Sequence, residues 1–278
     1  KILGPTALAV RLPSALAGIF SIVLVGLIAK QLAIQGTKNF RQTKKLQLFT
    51  MLVVTIAFWD IMFSRAGFEG HLGQLFLGLS IYLALKASLR WWNLPLSGFL
   101  AVLALFTYYS TRFVWPVVFL LVLVINLARL KKKDNFNKQH FVSLIFSSLI
   151  AVGIFLTGLS IMSNSTYYQA SQRFRLSAAS VLDQTLVVQT SNQYKQITGN
   201  DLLSRLAFHR HWFTVKNLLT NYSQNLSFNF LFLTGDQNLR HGTGQHGLFA
   251  LSFLPIFFIG LYTLVKKNRL SLMILLVW

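Results

Sequence analysis

Acidic side chains are scarce in this sequence, and two of its six fall within FWDIMFSRAGFEGHLG (58–73). There Asp60, Arg65 and Glu69 set two carboxylates around a guanidinium between strongly apolar runs. A carboxylate can accept the proton of a hydroxyl as that oxygen attacks a carbon centre. A guanidinium can hold a phosphate through paired, charge-assisted hydrogen bonds. Charges at a membrane boundary are costly unless paired, hydrated or lining a cavity, which makes these three functional candidates. By spacing alone, Arg65 and Glu69 stand at i,i+4 and could instead tie the loop as a local helical pair. Asp60 reads either as a cavity residue or as a hydrated boundary residue.

Two further groups invite chemistry. Arg11 opens another apolar run and, like Arg65, could meet a phosphate or simply snorkel to the interface. Asp236, Asn238, Arg240 and His241 cluster in GDQNLRH just before an apolar segment. They could line a substrate groove, or close a loop as ordinary turn residues. The spacings of His209 with His211 and of His241 with His246 match no zinc pattern, so no metal site is expected. With no cysteine, disulfides and thiolate metal sites are excluded.

The elements that must position these groups read as membrane helices. The 278 residues are 54% hydrophobic and 12% charged, about half the charged fraction usual in soluble domains. Apolar segments cover residues 12–29, 46–63, 70–85, 91–111, 113–128, 141–162 and 248–265, and another begins at 270–278. Runs shorter than the ~20 residues of a full crossing must borrow flanking residues or tilt. The expectation is an all-α, polytopic transmembrane bundle forming a single domain, with seven complete spans and a partial eighth. The net charge of +20 lies mostly in short clusters between those runs, which argues against a nucleic-acid partner. Lys30–Lys45 carries five Lys or Arg, Lys86–Pro95 two, Arg129–Gln139 five and Lys266–Arg269 three. Ser64–His71 and Thr107–Arg112 carry one each. The positive-inside bias places the first set in the cytoplasm and the second outside.

Residues 163–247 then form a long extracytoplasmic loop. Within it, Asp201–Phe213 has apolar residues spaced for an amphipathic helix, lying either on the membrane surface or against its own domain. Asn164, Asn221 and Asn225 head formal N-glycosylation triplets in the same loop. The chain starts at Lys1 and stops inside an apolar run, and is read as a fragment of a longer protein.

SRAGFE (64–69), following an apolar span, resembles the SR-x-x-x-E signature of the protein O-mannosyltransferase-like glycosyltransferases. This branch of the GT-C class also includes the lipid A aminoarabinose transferases. RLPSALAG (11–18) resembles the family's R-x-PS-A-L-x-G opening of an earlier span. TYYSTRFVWP (107–116) is similar to its T-Y-x-S/A motif, and GDQNLRHGTGQHGLFALSFLPIFFIGLY (235–262) to its outer-loop GD-x-N-x-RH followed by an apolar span. The four stand in family order and cover nearly the whole chain.

The resemblance implies a GT-C bundle in the plasma membrane with its active site facing outside. Such an enzyme moves a sugar from a polyprenyl-phosphate carrier, with inversion, to an acceptor protein, lipid or glycan, and needs no cofactor. It further implies that Glu69 is the second acidic position of the site, that Arg11 and Arg65 meet the donor phosphate, and that Asp60 and the GDQNLRH residues contact substrate. One departure stands out. The acidic pair that usually supplies the family's main carboxylate precedes the R-x-PS span, and KILGPTALAV (1–10) contains no acid. This polypeptide is therefore expected to be inactive alone. A multi-span transporter or lipid flippase without covalent chemistry is the rival reading, and a structural membrane subunit is a third.

Overall fold

The computed structural model describes residues 4, 6–33, 40–87, 90–131, 138–166, 168–169, 184–199, 201–236, 238, 242, 244–267 and 272–274. Among them every regular element is helical. The first part of the chain supplies α1 (Ala7–Ala33), α2 (Phe40–Thr55), α3 (Phe58–Ala66), α4 (Glu69–Leu85), α5 (Asn93–Thr107), α6 (Thr111–Lys131) and α7 (Lys138–Ser163). A smaller layer follows, made of α8 (Gln184–Ile197), α9 (Leu202–Ala207) and α10 (Arg210–Asn225). A π-turn at Asn229–Leu233 and a 3-10 turn at Leu251–Phe253 lead into α11 (Leu254–Lys267).

Among the described residues, three helices are long and apolar enough to cross a membrane: α1, residues 111–130 of α6, and α7. α2 and α3 together would make a fourth. The expected span over 46–63 is not one straight helix, because α2 and α3 meet at a bend of 58°. Ala57 leaves helical geometry there (φ −75°, ψ 125°) and is fully buried. The Thr55 hydroxyl competes locally by donating to the Met51 carbonyl at 2.8 Å. α4 and α5 are apolar but have only 17 and 15 residues, short of a full crossing. α1 starts five residues before the predicted span, because the Thr6 hydroxyl accepts the Ala9 N–H (3.2 Å) as a cap. Pro13 consequently lies inside the helix rather than at its edge.

The helix directions alternate. At one end of the bundle, called here the lower end, Arg129 of α6 donates to the Leu85 carbonyl of α4 and, at 3.0 Å, to the Gln31 carbonyl of α1. One guanidinium thereby satisfies terminal carbonyls of two helices, where the helix dipole also favours a cation. α1, α4 and α6 therefore all end together, and the α3–α4 and α5–α6 turns lie at the opposite, upper end. Between the ends sits an apolar core in which Trp115 stacks on Phe119 (4.6 Å) and Phe155 (4.3 Å). Its indole N–H donates to Ser80 Oγ at 2.8 Å, and Ser80 donates onward to the Ser97 carbonyl at 2.8 Å. Small residues allow α5 and α7 to touch: a Cβ on Gly98 would come within 2.6 Å of the Ala151 carbonyl oxygen.

The single amphipathic helix expected over 201–213 is two helices. Phe208 and His209 leave helical geometry between α9 and α10. Asp201 caps α9, its Oδ1 accepting the Ser204 N–H at 2.8 Å. That N–H, and after it the Ser204 hydroxyl, holds the Asp201 carboxyl below its ordinary value.

Replacing Gly98 with Val should separate α5 from α7 and destabilise the bundle by about 2 kcal/mol. Gly153→Val, where an added Cβ meets nothing within 4 Å, should leave the unfolding midpoint in detergent nearly unchanged. For Asp201, a carboxyl lowered on folding stabilises above its unfolded value of about 4 and loses that contribution as pH falls through the folded value. The protection of the Ser204 amide, relative to its intrinsic exchange rate, should fall across that acidic window, and in an Asp201→Ala variant it should already be low at neutral pH.

Candidate functional site

The upper end is organised by a buried polar node. His71 Nε2 of α4 lies 3.1 Å from Asp60 Oδ1 of α3, with His71 0% and Asp60 3% exposed. Where both residues are described, it is the only contact within 4 Å between a carboxylate and a basic side chain. From α1, Ser14 donates its hydroxyl proton to the Phe63 carbonyl (2.6 Å), and the same oxygen lies 3.5 Å from His71 Nδ1. Ser64 donates to the Asp60 carbonyl at 2.6 Å. Gly18 makes this approach possible, since a Cβ there would collide with Ser64 Oγ.

Local sequence dictates the turn above the node. Gly67 ends α3 in the left-handed region (φ 67°), which glycine adopts without a Cβ penalty. Phe68 is extended, and Glu69 becomes the first residue of α4, where the helix dipole favours a carboxylate. α1 crosses over this turn. A Cβ on Gly67 would stand 3.3 Å from the Val10 carbonyl oxygen and 3.6 Å from Arg11 Cγ. Arg11, Arg65 and Glu69 are exposed around the turn, and no ion pair joins Arg65 to Glu69.

Beside the turn runs an aromatic groove. Two adjoining cavities of about 180 and 200 Å³ share Phe63, Phe68 and Tyr108. Phe63 stacks on Phe68 at 5.3 Å, and the Tyr108 ring meets Phe68 edge-on at 6.3 Å. The far wall is Trp59, Phe230, Asp236 and Leu248. Asp236 is half-buried, and its Oδ1 accepts the Asn238 N–H at 2.8 Å. It thus closes a turn and lines the groove at once. His246 stacks on Phe58 at 5.4 Å, joining the same loop to the start of α3. At the other side Arg112 lies 3.3 Å above the Tyr109 ring and donates to the Tyr168 hydroxyl. That contact ties the start of α6 to the segment after α7.

Of the residues singled out in the sequence, Arg11, Arg65, Glu69, Asp236 and Asn238 gather at this end. Asp60 does so too, but beneath the surface: its carboxylate is engaged by His71 and does not line the groove, so direct contact with a substrate is not what its geometry provides. Arg240 and His241 lie outside the described residues. Sequence reasoning missed His71, Ser14 and the aromatic lining. The available signal was a lone histidine in an apolar helix eleven residues after a lone aspartate.

Removing one member of a buried pair leaves the other without compensation, a loss of about 3–5 kcal/mol. Asp60→Ala and His71→Ala should each lower stability by roughly that much. The double variant should fall short of the sum of the two by at least ~1 kcal/mol. A denaturant titration in mixed micelles reads all three, and strict additivity would contradict the pairing. No protein family model, curated protein or solved structure matches the chain, so its functional reading rests on these residues alone.

Proposed function

We propose that this chain belongs to a membrane glycosyltransferase that moves a sugar from a polyprenyl-phosphate carrier to an acceptor hydroxyl at the upper end of the bundle. One observation carries the reading. RLPSALAG, SRAGFE, TYYSTR and the loop beginning GDQN, spread over more than 200 residues, contribute to one end of one fold. In the proposed reaction the acceptor oxygen attacks the anomeric carbon, the bond from that carbon to the phosphate oxygen breaks, and the acceptor proton passes to a carboxylate. Arg11 and Arg65 take the departing lipid phosphate, whose charge two guanidinium groups can stabilise. Glu69, exposed beside them, holds the acceptor or a cationic partner, and Asp236 and Asn238 form the opposite side. The aromatic faces of Phe63, Phe68 and Tyr108 suit the apolar faces of a sugar ring. This end faces outside in the proposal, in keeping with the basic residues concentrated in the lower-end connections.

The transporter reading gains one observation that the sequence did not offer. The α2–α3 pair is a broken apolar helix whose second half ends beside the polar node, an arrangement that also occurs where transporters bind their cargo. One experiment separates the two. The full-length protein, purified into liposomes, is given a polyprenyl-phosphate sugar and assayed for both sugar release from the carrier and movement of the intact lipid.

Release from the carrier is expected, and Glu69→Gln should lower it by about 100-fold at unchanged expression. Arg65→Ala should mainly raise the donor concentration needed. Movement of the intact lipid without release would replace the proposal with the transport reading, and full turnover in Glu69→Gln would remove Glu69 from the site.

A further inference from the structure

The α8–α10 layer presents an exposed apolar face. The helices of the layer are joined through Tyr194 of α8, itself partly exposed, which stacks with Phe208 (5.4 Å) and Phe213 (5.6 Å). Ser191 of α8 adds a hydrogen bond to the Phe208 carbonyl at 2.6 Å. On α10, Phe213, Thr214 and Asn221 are the half-buried positions, and at 100° per residue they share one face. Trp212, Val215, Leu219, Tyr222 and Leu226 fall on the opposite face and are all exposed, Trp212 to 64% and Leu219 to 63%. α9 adds exposed Leu202, Leu203 and Leu206. So continuous an apolar stripe, turned away from its own layer, is a surface that meets a partner or a membrane.

Charge and tethering say which. Between Gln184 and Leu226 the sequence has four cations, Lys195, Arg205, Arg210 and Lys216, and one carboxylate, Asp201, already committed to capping α9. A basic amphipathic helix with Trp and Tyr in its apolar stripe suits the boundary between acyl chains and anionic headgroups. In sequence the layer lies between α7, long and apolar enough to cross a membrane, and the shorter apolar α11, so a bilayer surface is within reach of its ends. We infer that α10, with α9 beside it, lies in the membrane interface, its Trp212–Leu226 stripe towards the acyl chains and Lys216, at the edge of that stripe, towards anionic phosphates.

The chain has no cysteine, so single nitroxide labels can be placed within it without altering a thiol of its own. Val215→Cys and Leu219→Cys probe the stripe, and Thr220→Cys and Gln224→Cys the polar side, in full-length protein reconstituted into phosphatidylcholine–phosphatidylglycerol vesicles. The stripe labels should collide with oxygen and should meet a water-soluble nickel chelate about tenfold less often than the polar-side labels. In pure phosphatidylcholine this contrast should shrink. Equal nickel access at all four positions would place the stripe in water and overturn the inference. Protection of the stripe from both oxygen and nickel would assign the face to protein contact instead and would equally overturn it. Either failure leaves the transferase proposal untouched, because no label lies in the groove.

Discussion

The upper end of this bundle depends on the contact between Asp60 and His71. α3 has only nine residues, too few to hold itself as an isolated helix, and a bend separates it from α2. What fixes it is tertiary: the carboxylate–imidazole contact to α4 below, and the Ser14 hydroxyl on its Phe63 carbonyl from α1. Burying a carboxylate and an imidazole is costly unless each has its partner, so the pair tolerates few other arrangements of α3 against α4. Phe63, Arg65, Gly67, Phe68 and Glu69 inherit their positions from that node.

The remainder of the bundle supplies a frame stiff enough to carry it. Helices that meet in an apolar setting gain little from exclusion of water, so close van der Waals packing and internal hydrogen bonds must join them. The Gly98–Ala151 approach and the chain from Trp115 through Ser80 to Ser97 are of this kind. Asn126 does the same for α4 and α6, donating to the Ala84 carbonyl at 2.8 Å. Arg129 then fixes the lower ends of α1 and α4 together. Since α1 and α4 are held to each other at the bottom, the Ser14–Phe63 and Asp60–His71 contacts at the top meet in register.

The helical character of the chain is legible in its sequence. Hydropathy located helices because a long apolar run has few other stable forms, but of the seven complete spans expected only α1, α6 and α7, with the bent α2–α3 pair as a fourth, are long enough to cross a membrane among the described residues. What escaped were features with no periodic signature. The bend at Ala57 involves neither Pro nor Gly, and depends on how α3 is drawn to α1 and α4. The break at Phe208–His209 interrupts a good amphipathic pattern through local caps, and hydrophobic spacing does not register caps. Arg65 and Glu69 stand at a spacing that reads as a helical pair, yet Gly67 ends one helix between them and Glu69 begins the next. The i,i+4 rule holds only within one continuous helix. Asp60 stayed ambiguous because its partner, His71, belongs to the following helix and faces it only after the Gly67 turn.

That same turn explains why the charged groups at the upper end stay separate. Had α3 run on into α4, Arg65 and Glu69 would lie one turn apart on a single face and could neutralise each other. Ending α3 at Gly67 instead sends the guanidinium and the carboxylate from two different helices. It also places Glu69 in the first turn of α4 rather than one turn along from Arg65 on the same helix. Arg11 arrives over the turn from α1, so two guanidinium groups and one carboxylate surround the opening without an ion pair among them. Beneath them the other carboxylate, Asp60, is satisfied by His71. The fold thus divides its acids by role, one consumed in holding the hairpin and one left exposed. A surface that keeps its cations and carboxylate apart can still gain from an anionic group and a hydroxyl arriving together, which is the chemistry a phosphate-linked sugar and its acceptor would bring.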